Sequence, residues 1–287
     1  MTGYERAGHS TIGPMASYTI HPTSVISAES ELSEGVEIGP WCVLTGRVRL
    51  GPGVRLVANV HLNGPVDVGE GTILYPGACI GFPPQDYKFK LGDTTAGVRI
   101  GRDCLIREHV TVHAATKKDI PTTIGDKVFM MVSSHAGHDV TVGNNVILGN
   151  SVLLAGHVRI HDGVIMGGNA AIHQFAQVGR LAFVSGLTAC PGDILPFCVS
   201  GERNILNSVN LVGMRRAGFP REHITAVRNV FWHVLCQRLP RPEMLAALEE
   251  HGRNCPPVME MAEFVRGSKR PIARGRRAGM AEEAGVQ

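Results

Sequence analysis

An aliphatic side chain recurs every six positions along most of this chain: from Ile20 to Ile80, from Ile100 to Val112, and from Ile124 to Val184. These runs hold 25 hexads, and Ala136 is the single position where the large aliphatic residue is lost. Two residues earlier in the hexad stands a small or β-branched side chain, as at Val36, Val48, Val54, Val128, Ser134 and Val146. A glycine follows the aliphatic position eleven times, for example at Gly39, Gly69, Gly101 and Gly143. A period of six is neither the 3.6 of a helix nor the plain alternation of a strand. It predicts a short strand and a turn per hexad, with the aliphatic residue inward and the glycine accommodating the turn's unusual backbone angles. Successive coils then cover one another's apolar faces, as in other solenoids. An antiparallel sandwich does not keep so many hexads in register.

This repeat resembles the left-handed parallel β-helix of the hexapeptide-repeat acyltransferases, in which three hexads make one triangular coil. The left hand is implied by the resemblance, because crossover connections are otherwise right-handed. Two segments break the phase, residues 81–97 (GFPPQDYKFKLGDTTAG) and 113–123 (HAATKKDIPTT). Loops thrown out of a rigid scaffold commonly carry function. After about residue 192 the hexads stop. Pro220 opens a helical stretch with Ile224, Val227, Phe231, Val234 and Leu235 on one face, and Pro242 opens a second with Met244, Leu245 and Leu248. The expected organisation is a flexible extension over residues 1–17, a β-helix over 18–192, a small α-helical C-terminal domain over 193–266, and a disordered basic tail over 267–287.

Composition narrows the class. Apolar residues make up 44% of the chain but aromatics 5%, so the core is built from Val, Ile, Leu and Ala. A formal charge of +3 gives no case for a nucleic-acid partner. Basic residues gather at Lys269, Arg270, Arg274, Arg276 and Arg277, which reads as a solvated tail or a contact for an acidic protein. Seven cysteines without a CxxC pair read as reduced thiols. The opening residues are polar and no apolar run approaches the roughly 18 residues of a membrane span. A cytoplasmic protein with no stable membrane insertion is expected.

Histidines supply the candidate chemistry. His135, His138, His157 and His173 occupy no inward position, with His113 and His161 nearby. Coils of 18 residues bring such positions close together on one side. In the string SSHAGHDVTVG (133–143), His138 is followed by Asp139, a carboxylate able to orient an imidazole, although neighbours in a strand point opposite ways. Ala136 lies in the same string, and local exceptions to a fold's rule often mark sites.

The segments QDYK (85–88), HAGHD (135–139), LAGH (154–157), IHQF (172–175) and MRRAGF (214–219), with the 35 positions separating His138 from His173, resemble those of the UDP-N-acetylglucosamine O-acyltransferases of lipid A biosynthesis. The resemblance runs over about residues 18–235. It implies that His138 is the general base, supported by Asp139, and that the Gly156 N–H serves the oxyanion. It implies sugar and phosphate contacts at Asp86 and Lys88, contacts to the amino-sugar and diphosphate at His135, His157, His173 and Gln174, and nucleotide contacts at Asn210 and Arg216. It implies an acyl-chain ruler at Gly186, where the lack of a side chain leaves room for a long chain. It further implies a UDP-amino-sugar acceptor, an acyl carrier protein as donor, a homotrimer, and no cofactor or metal. An acidic carrier would meet basic residues such as Arg215, Arg216 and Arg221, an attraction that salt screens.

This chain departs from the family pattern at Ala114, Glu202, Ala217 and Pro220. A paralogue acting on a related UDP-amino-sugar therefore stays open, and the sequence does not separate a 3-hydroxyl from a 3-amino acceptor. Three further alternatives have weaker support. The sister N-acyltransferase carries an extra domain before its repeats, a γ-class carbonic anhydrase would bind a metal through His135, His138 and His157, and a non-catalytic β-helix scaffold has no need of the HAGHD string.

Overall fold

The computed structural model describes residues 17–90 and 92–276. The extension expected over 1–17 therefore lies almost wholly outside the described residues, as do residues 277–287 of the expected tail. Strands of two or three residues succeed one another at hexad spacing and turn through three faces in rotation. The first face holds 12 strands from Thr19–Ile20 onward, the second 9 from Val25–Ile26 to Ala189–Cys190, and the third 8 from Glu31–Leu32 to Gln177–Val178. Within the solenoid every pairing is parallel, and a residue pairs with the one 18 positions on: Ile38 with Leu56, and Ala136 with Leu154. The two breaks stretch this interval, so that Leu74 pairs with Ile106 and Val112 with Ala136. Both break segments leave from the second face, after Cys79–Ile80 and after Thr111–Val112, and return at the third.

The inward positions form the core. Leu74, Ile80, Ile106, Leu148 and Leu154 are fully buried, and so is the small Ala136. The β-branched partners Val36, Val48, Val54 and Val146 are equally buried, so two residues per hexad fill a narrow interior. Ile20, expected inward, is 39% exposed because its strand ends the first face and pairs on one side only.

Apart from Gly81, whose φ is 83°, the hexad glycines have a different cause from the one expected. The left-handed backbone falls three residues after the aliphatic position and is held mostly by other residues: Asn59, Asp103, Ser133, Asp139, His157 and Leu187 all have positive φ. Gly69 and Gly101, directly after their aliphatic residues, are not in that region. A Cβ on Gly69 would lie 2.6 Å from the Gly101 backbone carbonyl. Close approach of the next coil, rather than the turn, is what requires glycine there.

Beyond the last coil, Cys198–Glu202 and Ile205–Val209 form a hairpin that extends the first face. Four helices follow: α1 (Leu211–Arg216), α2 (Arg221–Val230), α3 (Arg241–Gly252) and α4 (Pro256–Gly267). A π-helical turn, Phe231–Leu235, continues α2. The expected face of α2 is the buried one, through Val227, Phe231, Val234 and Leu235. The chain carries α4 beyond what the sequence pattern suggested, burying Val258, Met261, Ala262 and Val265. A bidentate ion pair from Arg180 to Glu260 (2.9 and 2.6 Å) ties α4 to the β-helix.

Residues 267–276, read from sequence as the start of a disordered tail, are ordered against the end of the β-helix. Arg274–Gly275 pairs in parallel with Ile205–Leu206, Ala273 is buried, and Ser268 hydrogen-bonds the fully buried carboxylate of Asp193. The alternation of apolar Ile272 and Ala273 with basic residues let this segment pass for solvated chain. Backbone pairing and one buried polar anchor fix it instead.

Candidate active site

The corner between the second and third faces collects the candidate residues. Both break segments spring from it. On the coils that follow, the 18-residue register lines up two columns there: His138, Gly156 and Gln174 in one, Asp139, His157 and Phe175 in the next. Coil-to-coil hydrogen bonds run between these columns, from His157 N to His138 O (2.9 Å) and from Phe175 N to Gly156 O (3.1 Å).

Asp139 adopts the left-handed corner conformation, with φ of 58°. That turn overcomes the opposed directions of neighbouring strand residues, and His138 Nδ1 lies 2.8 Å from Asp139 Oδ2. The carboxylate is buried, its side chain 3% exposed. Burial alone pushes the Asp139 carboxyl up, but hydrogen bonds from His138, from the Thr116 hydroxyl (2.7 Å) and from the Thr116 N–H together hold it below its ordinary value. Thr122 Oγ1 accepts the Asp139 N–H at 2.9 Å. With Nδ1–H committed to an ionised carboxylate, His138 keeps its Nε2 lone pair free for a proton.

The His138 ring lies across the next coil. A Cβ on Gly156 would be 2.6 Å from both Cε1 and Nε2 of His138, so glycine is the residue that lets the imidazole sit there. Among the described residues the Gly156 N–H donates to no protein acceptor. The equivalent N–H groups of Asp126 and Asn144 are capped by side chains of the following coil, Asn144 and Asp162.

His157 stands edge-on to His138 (ring centroids 5.0 Å) and stacks on Phe175 (4.5 Å, 7° between planes), with Nε2 3.7 Å from Asp139 Oδ2. His135 lies 2.7 Å from Thr111 Oγ1 and edge-on to His113. Burial, with the charges of His113 and His138, pushes His135 down to about 4. Burial likewise lowers His113 and His157. Asp86, in the first break, accepts the Lys88 N–H at 2.9 Å and is close enough for its charge to act on His157. Lys88 is exposed. His173 and Gln174 complete the corner one coil further.

Other expected residues lie elsewhere. Gly186 is on the adjoining corner, between the first and second faces, stacked on Gly168. His161 packs edge-on against Phe264 of α4, outside the cluster. Asn210 caps α1, accepting the Gly213 N–H (2.9 Å), and its Nδ2 donates to Leu181 O (2.8 Å) at the third corner. Both of its polar ends are thus taken within the chain. Arg216, with Arg215 and Arg221, is exposed near the α1–α2 junction. The sequence did not point to Thr116 and Thr122, which hold Asp139, or to Phe175 and Lys117 beside His157. The spacing of 18 from Asp139 and His157 would have found Phe175. Thr116 belongs to a break segment where no register applies, and Thr122 holds the β-branched position two residues before Ile124, which reads as core.

The donor atoms of His138, Asp139 and His157 all lie within 4.8 Å of one another, a geometry open to a cation. The three-histidine set of a carbonic anhydrase is not assembled, since His135 turns to Thr111 and His113. The cavity of about 430 Å³ lined by Arg238, Arg241, Met244, Arg270 and Ile272 contains none of the cluster. His138 and Asp139 are buried in this corner, whereas His173 and Phe175 one coil on are exposed.

Comparison with known proteins assigns the chain. An acyl-(acyl-carrier-protein)–UDP-N-acetylglucosamine O-acyltransferase of Sinorhizobium fredii is 39% identical over 257 residues, covering 88% of this chain and 93% of the relative. The enzyme of the same name from Thermodesulfovibrio yellowstonii is 38% identical, covering 89% and 99%. The chain belongs to the UDP-N-acetylglucosamine O-acyltransferase family. A family model described as domain 2 of the UDP-N-acetylglucosamine O-acyltransferases matches residues 193–273, which include the segment after α4. The solved UDP-N-acetylglucosamine acyltransferase of Francisella novicida superposes with a TM-score of 0.86 at 28% identity, covering 94% of this chain and 99% of that one. That of Moraxella catarrhalis gives 0.83 at 30% identity, covering 89% and 99%. The solenoid is accordingly the left-handed β-helix of this family. No helix among the described residues is long and apolar enough to cross a membrane.

The lowered histidines make stability depend on pH. Between the ordinary value of 6.5 and about 4, an unfolded chain binds a proton at His135 that the folded protein refuses. The contribution is complete above 6.5 and is lost as pH falls through about 4, with His113 and His157 acting in the same direction. The melting temperature should therefore drop as pH is lowered from 6.5 to 4, and less steeply in His135→Gln. Parallel slopes for the two proteins in scanning calorimetry would refute this assignment.

Proposed function

We propose that this protein moves an acyl chain from an acyl carrier protein thioester to the 3-hydroxyl of UDP-N-acetylglucosamine, the first step of lipid A biosynthesis. The observation that carries the reading is the His138 imidazole, tied through Nδ1 to buried Asp139 and laid against Gly156. In this reading Nε2 of His138 takes the proton of the sugar hydroxyl as its oxygen attacks the thioester carbonyl. The tetrahedral oxyanion accepts the Gly156 N–H, a donor that needs no reorganisation. Collapse expels the thiolate, which recovers the proton from His138. Asp139 holds the ring and stabilises the imidazolium. The neutral imidazoles of His135 and His157 act as uncharged hydrogen-bonding groups toward the sugar, with His173, Gln174, Asp86 and Lys88 at the rim of the same corner.

The test is incubation of the purified protein with 3-hydroxyacyl carrier protein and UDP-N-acetylglucosamine, with the product identified by mass. A monoacylated sugar nucleotide is expected, and His138→Ala should form it roughly 10²–10⁴-fold more slowly while remaining folded. A folded His138→Ala protein with near-normal turnover would overturn the role of the base.

A homotrimer is proposed, and the positions of the candidate residues support it. Asn210 and Arg216 belong to a different corner of the prism from the histidines, so one chain does not bring the proposed nucleotide contacts to the proposed base. A homotrimer packing prism sides around a threefold axis would bring a neighbouring chain against this corner. Sedimentation should give a trimeric mass for active enzyme; an active monomer would rule it out.

Gly186 is the proposed ruler. It lies on the adjoining corner, on later coils than His138, where an acyl chain lying along the second face would reach. A Cβ there meets Gly168 O at 3.1 Å, a tight but adjustable contact. Each buried methylene is worth about 0.8 kcal/mol, so Gly186→Met should shift preference toward shorter donors in competition assays. An unchanged preferred length would remove Gly186 from this role.

A further inference from the structure

Arg270 reaches the catalytic corner from the far end of the chain. It sits in the segment that returns from α4 along the end of the β-helix. That segment is anchored by several bonds that do not involve the Arg270 side chain. Ser268 hydrogen-bonds Asp193, Asp193 N donates to Pro271 O (2.8 Å), and Ala273 N donates to Asp193 O (2.9 Å). The Arg270 guanidinium turns the other way. Its Nη2 donates to Pro191 O at 3.1 Å and lies 3.1 Å from His173 Nδ1. Its Nε is buried and, among the described residues, meets no acceptor. A buried donor without a partner costs stability, so this arginine is poorly explained as a fold anchor alone.

The contact decides a proton position. A guanidinium has five donors and no acceptor, and it stays charged. It can approach His173 Nδ1 only if that nitrogen presents its lone pair. The competing partner of the same nitrogen is the Gln174 carbonyl oxygen, 3.2 Å away, which could only accept a proton from it. The two neighbours therefore demand opposite tautomers. With Arg270 in place Nδ1 accepts and Nε2 carries the hydrogen. Without it, the Gln174 carbonyl draws the hydrogen to Nδ1 and leaves Nε2 as an acceptor. One residue thus sets whether the exposed imidazole offers a donor or an acceptor.

We propose that Arg270 is a positioning residue that selects the Nε2–H tautomer of His173, so that this imidazole presents a hydrogen-bond donor to the diphosphate of the sugar nucleotide. The role of the donor rests on the proposed function, in which His173 lines the acceptor site; the tautomer itself does not. An acceptor nitrogen facing phosphate oxygens would repel them, whereas a donor binds them.

The experiment uses full-length protein with ¹⁵N-labelled histidine and long-range proton–nitrogen correlation spectra, assigned with His173→Gln. Wild type should show a pyridine-type Nδ1 and a pyrrole-type Nε2 at His173. Arg270→Met, which keeps the stem and removes the donors, should reverse them, and Arg270→Lys should restore the wild-type pattern. In steady-state assays Arg270→Met should raise KM for the sugar nucleotide about tenfold, the worth of one such hydrogen bond, with kcat little changed and with Lys rescuing. A wild-type His173 protonated at Nδ1, or an Arg270→Met protein with unchanged tautomer, would overturn the proposal. Failure of the chain to turn over this sugar nucleotide at all would overturn the proposed function and leave the tautomer result standing.

Discussion

The stacking of coils by backbone hydrogen bonds at an interval of 18 residues is the constraint on which the rest depends. Coils held about 4.8 Å apart leave no room for a Cβ where two backbones converge, which is why Gly69 faces Gly101. They force the interior to be filled by small and medium aliphatics, two per hexad. They also convert sequence distance into spatial columns. His138, Gly156 and Gln174 become neighbours for the same reason that Leu56 sits beneath Leu74. The ladder bond from His157 N to His138 O is both a scaffold bond and the spacer of the site.

The site uses this scaffold without special backbone strain. Asp139, His157 and Phe175 have positive φ, but so do Asn59, Ser133, Asn145 and Ser151 at ordinary corners. What distinguishes the candidate corner is what the break segments add. Outward corner residues are elsewhere wet, whereas the 113–123 segment lays Thr116 over Asp139 and buries it. Burial alone pushes a carboxyl up toward its neutral form. Three donated hydrogen bonds keep it charged, and a charged Asp139 in turn fixes the His138 tautomer. The neighbouring imidazoles are pushed the other way by the same burial, toward the neutral form.

The C-terminal region is more than a cap. Its hairpin prolongs the first face, the Arg180–Glu260 pair ties α4 down, and the returning segment closes on Asp193 and touches His173. Residues separated by 97 positions thereby meet at one imidazole, which links the end of the chain to the candidate site.

The hexad period by itself determined the solenoid, its inward positions and the location of both breaks, because each repeat is a local unit whose register leaves one arrangement open. The same arithmetic brought His135, His138, His157 and His173 to one side once 18 residues made a coil. It misassigned the glycines, since a close approach between coils and a left-handed turn both favour glycine and composition alone does not separate them. It read residues 267–276 as solvated chain, since their order comes from Asp193 and from strand pairing at the far end of the molecule. The tertiary structure alone decided the threonine clamp on Asp139, the depressed His135, the cap at Asn210 and the meeting of Arg270 with His173. The Thr116 contact, the Asn210 cap and the Arg270–His173 meeting depend on irregular segments folding back on the regular ones, where no period relates the partners and only burial and hydrogen-bond satisfaction choose them.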